Sequence, residues 1–143
     1  MQLCDVNIFI YAHREDAPNH AFYQSWLQGQ LTASATFLYC EFILSAFVRI
    51  TTHQKIFKPP TPVKLALEFA EQIRSSPNGV GIMPGATHWK IFSGLCAKSR
   101  ASGNLIPDAY LAALAIEAMA DWVTTDEDYK VFEPELIWTL LKP

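Results

Sequence analysis

Short apolar runs alternate with helix-length amphipathic stretches along this chain, and no Asn-Gly or Asp-Gly turn joins two of the runs as a hairpin. The pair Asn78-Gly79 follows a helical stretch instead. Strands that cannot meet through tight turns are set side by side by helical crossovers, which makes the sheet parallel. The fold class is therefore α/β, with helices packed on a parallel sheet. Residues 2–6 read as a short buried strand, and the chain from Asn7 then turns into a helix. After Pro18, the residues Ala21, Phe22, Trp26 and Leu27 recur at helical spacing. Residues 32–36 are a strand candidate. Residues 37–52 read as a helix apolar nearly all round, which predicts that it is buried and that Glu41 is buried with it. The run Pro59-Pro60-Thr61-Pro62 breaks the chain before a helix over 63–76, which Pro77 ends. A strand over 80–83 and a helix over 87–102 follow. Pro107 suits the first position of the next helix, through residue 120. Residues 121–125 read as a strand, 126–132 as a turn and 136–141 as the last strand.

Across 143 residues there is no Pro/Gly/Ser-rich linker, so a single domain spanning 1–143 is expected. Hydrophobic residues make up 50% and charged residues 17%, the balance of a dense globular chain. No apolar run approaches the roughly 20 residues of a membrane span, so no membrane partner is expected. The N-terminus lacks a basic segment, and Asp5 interrupts what would be a signal core, which points to the cytoplasm. Cys4, Cys40 and Cys96 are odd in number, far apart and set in apolar surroundings, as reduced thiols would be. The net charge of −3 exerts no global pull on nucleic acid. A polyanionic ligand would need a local basic patch or bound metal ions.

Four carboxylates stand where apolar runs end or turn: Asp5, Glu41, Asp108 and Asp126. An unpaired buried charge is strongly disfavoured, so acids beside core segments demand a reason. In open parallel sheets, ligands bind beyond the carboxyl ends of the strands. Asp5 and Asp126 end strands, while Glu41 and Asp108 lie early in helices, so all four can reach one rim. Two carboxylates about 4 Å apart repel by roughly 4 kcal/mol at an effective dielectric of 20. Protonation or a divalent cation relieves that repulsion, and hard oxygen ligands favour Mg²⁺ or Mn²⁺ over zinc. Each acid also has an ordinary structural role open to it, such as a strand-end acid, a helix-dipole partner or a turn cap. Other chemistries fit poorly. The four histidines lack metal-ligand spacing, and neither a serine-nucleophile elbow nor a phosphate-cradling glycine loop is present. The aromatic residues fall mostly at helical spacing and read as core rather than as a platform for bases.

The segments DVNIFIYAHRED, CEFILSAFVRITTH, PDAYLAALAIE and WVTTDEDYKVF together resemble the PIN-domain family, and among its members the VapC-type toxins of bacterial toxin–antitoxin modules. The resemblance spans nearly the whole chain and keeps the order and approximate spacing of all four acids. It implies a three-layer α/β/α fold and an endoribonuclease dependent on Mg²⁺, with Mn²⁺ able to substitute. Asp5, Glu41, Asp108 and Asp126 correspond to its acidic quartet, which binds metal and carries catalysis. Asn7 and Thr125 match polar supporting positions, and Asp128 matches a less regular extra acid. The partners implied are an RNA substrate, a cognate antitoxin protein and a second copy in a homodimer. An antitoxin tail would lie between the helices carrying Glu41 and Asp108, touching whichever of Phe42, Phe47, Phe57 and Trp89 are exposed, core burial being the commoner fate of such residues. Two alternatives stay open: an RNA-processing nuclease without an antitoxin, and a non-catalytic RNA- or protein-binding module.

Overall fold

The computed structural model describes residues 1–143, in which five short strands form one sheet of order β3-β2-β1-β4-β5. The strands are β1 (Gln2–Cys4), β2 (Phe37–Tyr39), β3 (Gly79–Gly81), β4 (Asp121–Thr124) and β5 (Trp138–Leu140). All four pairings are parallel. Parallel neighbours need crossovers, and six helices supply them. These are α1 (Val6–His13), α2 (His20–Thr32), α3 (Glu41–Thr51), α4 (Val63–Arg74), α5 (His88–Ser99) and α6 (Leu105–Glu117), with a 3₁₀ turn at Glu127–Phe132. Helices α1 to α4 pack mainly among themselves, as do α5, α6 and the 3₁₀ turn. The sheet between them completes a three-layer α/β/α fold.

The central strand explains the order. Leu3 and Cys4 of β1 are buried, and β1 pairs with β2 through Leu3–Leu38 and with β4 through Leu3–Trp122 and Cys4–Val123. Trp122 and Val123 are wholly buried, as a strand covered on both faces requires. On α6 the buried side chains are Ala109, Ala112, Ala113, Leu114 and Ala115, so alanine dominates its packed face. No helix is long and apolar enough to cross a membrane. All three cysteines are free, with Cys4 and Cys40 buried.

Several boundaries depart from the sequence reading. The strand expected at 32–36 lies at Phe37–Tyr39, where the sequence pattern places helix. Thr32 to Ala35 are exposed and offer little to bury, whereas Phe37 and Leu38 are core residues. Helix α3 consequently begins at Glu41. Strand β3 starts at Gly79, one residue before the expected run. Pro107 is the third residue of α6, where its missing N–H still costs nothing because the first four helical amides have no partner within the helix. Replacing Ala113 by Leu forces four-carbon bulk into the packed face of α6. It should destabilise the fold by about 1–3 kcal/mol, read as a lower chemical-denaturation midpoint with an unchanged slope.

Candidate acidic site at the carboxyl edge of the sheet

The carboxyl ends of β2, β1 and β4 lie side by side, and each leads into an acid: Glu41, Asp5 and Asp126. From β1 the sheet grows outward in both directions, so the β1–β4 boundary is the switch point, the place where open parallel sheets bind ligands. Asp5 sits there with both carboxylate oxygens engaged. Its Oδ1 caps α1 by accepting from the Val6 amide at 2.7 Å, and its Oδ2 accepts from the Thr124 hydroxyl at 2.7 Å. The Asp5 amide extends the β1–β4 ladder, donating to the Val123 carbonyl at 2.9 Å. Thr124 Oγ1 in turn accepts from the Asp126 amide at 3.1 Å, and Asp126 Oδ1 caps the 3₁₀ turn by accepting from the Asp128 amide at 2.9 Å. Asp108, in the first turn of α6, accepts a long hydrogen bond of 3.4 Å from the buried Tyr129 hydroxyl.

No basic group forms an ion pair with Asp5, Asp108, Asp126 or Asp128. Burial raises the Asp5 carboxyl above its ordinary range and Asp126 adds to this, against the lowering effect of the Thr124 and Val6 hydrogen bonds. Asp108 is pushed up to about 6, first by burial and then by the charges of Asp126 and Asp5. Tyr129 is raised by burial and by the same three carboxylates, which keeps its hydroxyl a protonated donor. Asp5, Asp108 and Asp126 thus share one electrostatic environment, with Asp128 a weaker contributor at Asp108.

Glu41 does not share it. The expectation of a buried Glu41 is corrected: its side chain is 69% exposed and pairs with Arg74 at the end of α4, at 2.9 Å. Helix α3 is amphipathic rather than apolar all round, burying Ile43, Leu44, Phe47 and Thr51 and turning Glu41, Phe42 and Ser45 outward. Arg74, 33 residues away in sequence, is a partner that local spacing cannot reveal. Phe47 is core, as expected of most of these aromatics, whereas Phe42 and Trp89 are exposed. Asn7 is half-buried in the first turn of α1 and makes no side-chain hydrogen bond, and neither does the Thr125 hydroxyl. The threonine that binds Asp5 is its neighbour Thr124. Tyr129 also went unnoticed in the sequence. The strand register held the signal for Thr124, since Cys4 faces Val123 and Asp5 and Thr124 follow together.

No three carboxylate, imidazole or thiolate groups stand close enough to enclose an ion as placed. The donor chemistry nevertheless suits one. The acids supply hard oxygens, carry mutual repulsion and lack any basic counter-charge, the combination a divalent cation relieves.

A sequence model of the PIN domain matches residues 3–133. Ribonuclease VapC25 of Mycobacterium tuberculosis is 37% identical over 132 residues, 92% of this chain and 93% of the relative. Ribonuclease VapC43 of the same species is 34% identical over 131 residues, 91% of this chain and 89% of the relative. The chain belongs to the PIN-domain family, with VapC-type ribonucleases as its relatives. The crystal structure of VapBC2 from Rickettsia felis, bound to a DNA fragment from its promoter, superposes with a TM-score of 0.69 over 96% of each chain. At 18% identity that likeness is one of fold.

Thr124→Val keeps the side-chain shape but strips Asp5 of a donor and the Asp126 amide of an acceptor. The expected loss is about 1–3 kcal/mol in chemical denaturation, against roughly 0.5 or less for Thr125→Val. Asp108 gives a pH signature. Its folded-state value lies above the ordinary 3.8, so between 3.8 and about 6 the folded protein binds more protons than the unfolded chain. Stability from this group therefore falls as pH rises through that window and stays reduced above it. Solvent reaching the carboxyl screens the effect, so Asp108→Asn should gain about 1 kcal/mol at pH 7 to 8 and almost none at about pH 3. Melting curves across that range check it.

Proposed function

We propose that this protein is a divalent-metal-dependent endoribonuclease, acting as the toxin of a toxin–antitoxin module. The observation that carries the reading is the group of Asp5, Asp108 and Asp126, three carboxylates sharing one edge of the sheet with no basic partner. The naming of its relatives as VapC ribonucleases supports RNA as the substrate. Mg²⁺ is the cation that fits such donors, with Mn²⁺ as a substitute.

Asp5, Asp108 and Asp126 would hold the metal. When bound, it supplies positive charge for the phosphate and acidifies water toward neutral pH, the chemistry phosphodiester hydrolysis needs. Thr124 and the cap of α1 fix the orientation of Asp5, while Tyr129 steers Asp108. Asp108, raised to about 6, is mostly ionised at neutral pH and so would offer the metal an anionic oxygen. Glu41 is the fourth acid of the proposed site, and it must exchange Arg74 for the rim to act there. Asn7, Thr125 and Asp128 are polar groups bordering the same edge.

The kinship with VapC proteins extends the proposal to partners. A cognate antitoxin would restrain the enzyme in the cytoplasm, and two copies of the chain would pair as a homodimer. The three free thiols suit a reducing compartment.

Purified protein should cleave RNA in Mg²⁺ or Mn²⁺ and stop when EDTA is in excess. Asp5→Asn and Asp108→Asn should fold and lose cleavage by roughly a hundredfold or more. Undiminished cleavage in chelator, or by either variant, would sink the metal mechanism.

A further inference from the structure

Beside the acids the surface changes character. A groove of about 260 Å³ is lined by Phe42, Phe92, Ile106, Pro107 and Tyr110, with no charged side chain among them. Its walls lie next to the acids along the chain. Phe42 follows Glu41 at the start of α3, and Pro107 and Tyr110 flank Asp108 in α6. The rings form a row, with centroids 6.2 Å apart for Phe42–Tyr110, 5.6 Å for Tyr110–Phe92 and 5.2 Å for Phe92–Trp89. Phe42 is 63% exposed and Trp89 69%, so the ends of the row are presented to solvent rather than packed. Buried His88 backs the row, 2.9 Å from the Tyr110 carbonyl and edge-on to the Tyr110 ring at 4.3 Å. The groove is thus held in shape from behind.

Resting on the ribonuclease reading above, we propose that this groove is a subsite for a nucleobase of single-stranded RNA next to the scissile phosphate. A cation held by the acids would take the phosphate, and a nucleotide placed there would have its neighbouring base within reach of the adjoining rings. Every base has an apolar π-face that stacks on aromatic side chains, so an uncharged aromatic slot is complementary to a base and not to a phosphate. Bases are available for such stacking where RNA is unpaired. The groove lies below the roughly 300 Å³ at which pockets begin to enclose larger ligands, a size for one flat ring system. A helix from a protein partner needs a longer apolar trough with anchors at i, i+3, i+4 and i+7.

The test uses the full chain and two end-labelled probes of equal length and charge: single-stranded oligoadenylate and an abasic ribose-phosphate oligomer. Binding is read by fluorescence anisotropy in Ca²⁺, with probe integrity checked on gels. The wild type should bind oligoadenylate about tenfold more tightly than the abasic probe. Phe42→Ala should abolish that preference and Phe42→Trp should retain it. Equal affinity of the wild type for both probes overturns the proposal, as does a preference that survives in Phe42→Ala. Sedimentation of the same variant supplies a further arm. If Phe42→Ala turns a dimer into a monomer, the face is a contact between copies and the subsite is overturned. RNA left uncleaved in Mg²⁺, with the base preference intact and dependent on Phe42, would count against the ribonuclease reading and for the subsite. Cleavage without any base preference would do the reverse.

Discussion

The carboxylate of Asp5 accepts one hydrogen bond from the turn that follows β1 and another from the far end of β4, and much of the molecule's edge is arranged through that one group. Its Oδ1 starts α1 and its Oδ2 holds Thr124, whose hydroxyl places the Asp126 amide and with it the 3₁₀ turn. That turn carries Tyr129 beneath Asp108. A charged acceptor makes hydrogen bonds roughly twice as strong as a neutral one, and a buried one is costly to leave unpaired. The site is therefore assembled from the inside, with a satisfied acid locking the elements that carry less satisfied ones.

Those less satisfied acids are where fold and chemistry diverge. Burial and mutual repulsion raise Asp108 to about 6, a cost that packing elsewhere must offset. The wholly buried Trp122, Val123, Phe9 and Phe47 supply apolar contacts of the kind that can. The cation proposed for this edge would relieve that repulsion. Glu41 illustrates the opposite arrangement. With Arg74 at hand it is solvated and paired, so it adds nothing to the repulsion among the aspartates. An exposed pair of this sort is worth about 1 kcal/mol or less, so it yields readily to a competing charge.

The aromatic row adds a different surface to the same edge. An acidic rim alone distinguishes poorly between phosphates, because every nucleotide carries one. Phe42 follows Glu41 in α3 and Tyr110 stands two residues beyond Asp108 in α6, so each helix carries an aromatic ring near an acid along the chain. Periodicity along α3 reads Phe42 as core because it is large and apolar. In the fold the same helix buries Ile43, Leu44 and Phe47 and leaves Phe42 outside.

The sequence by itself determined the α/β class, the parallel sheet and the acids that end its strands. These follow from local rules: hydrophobic period, proline and glycine punctuation, and the reluctance of charge to sit beside core segments. The resemblance in four segments placed the chain near the PIN family, and the matched residues 3–133 bear that out. What only the tertiary structure decided was every relation set by register or by distant pairing. Thr124 rather than Thr125 meets Asp5 because Cys4 lies opposite Val123 in the ladder. Glu41 is exposed because α3 turns Ile43, Leu44 and Phe47 inward, with Arg74 of α4 pairing it at the surface, and β2 begins at Phe37 because the strand positions beside β1 demand residues that can be buried. Two neighbouring threonines, or an acid at the head of an apolar helix, carry no local mark of which way they face. That choice is made by the neighbouring strand or helix, whose position depends on the whole fold.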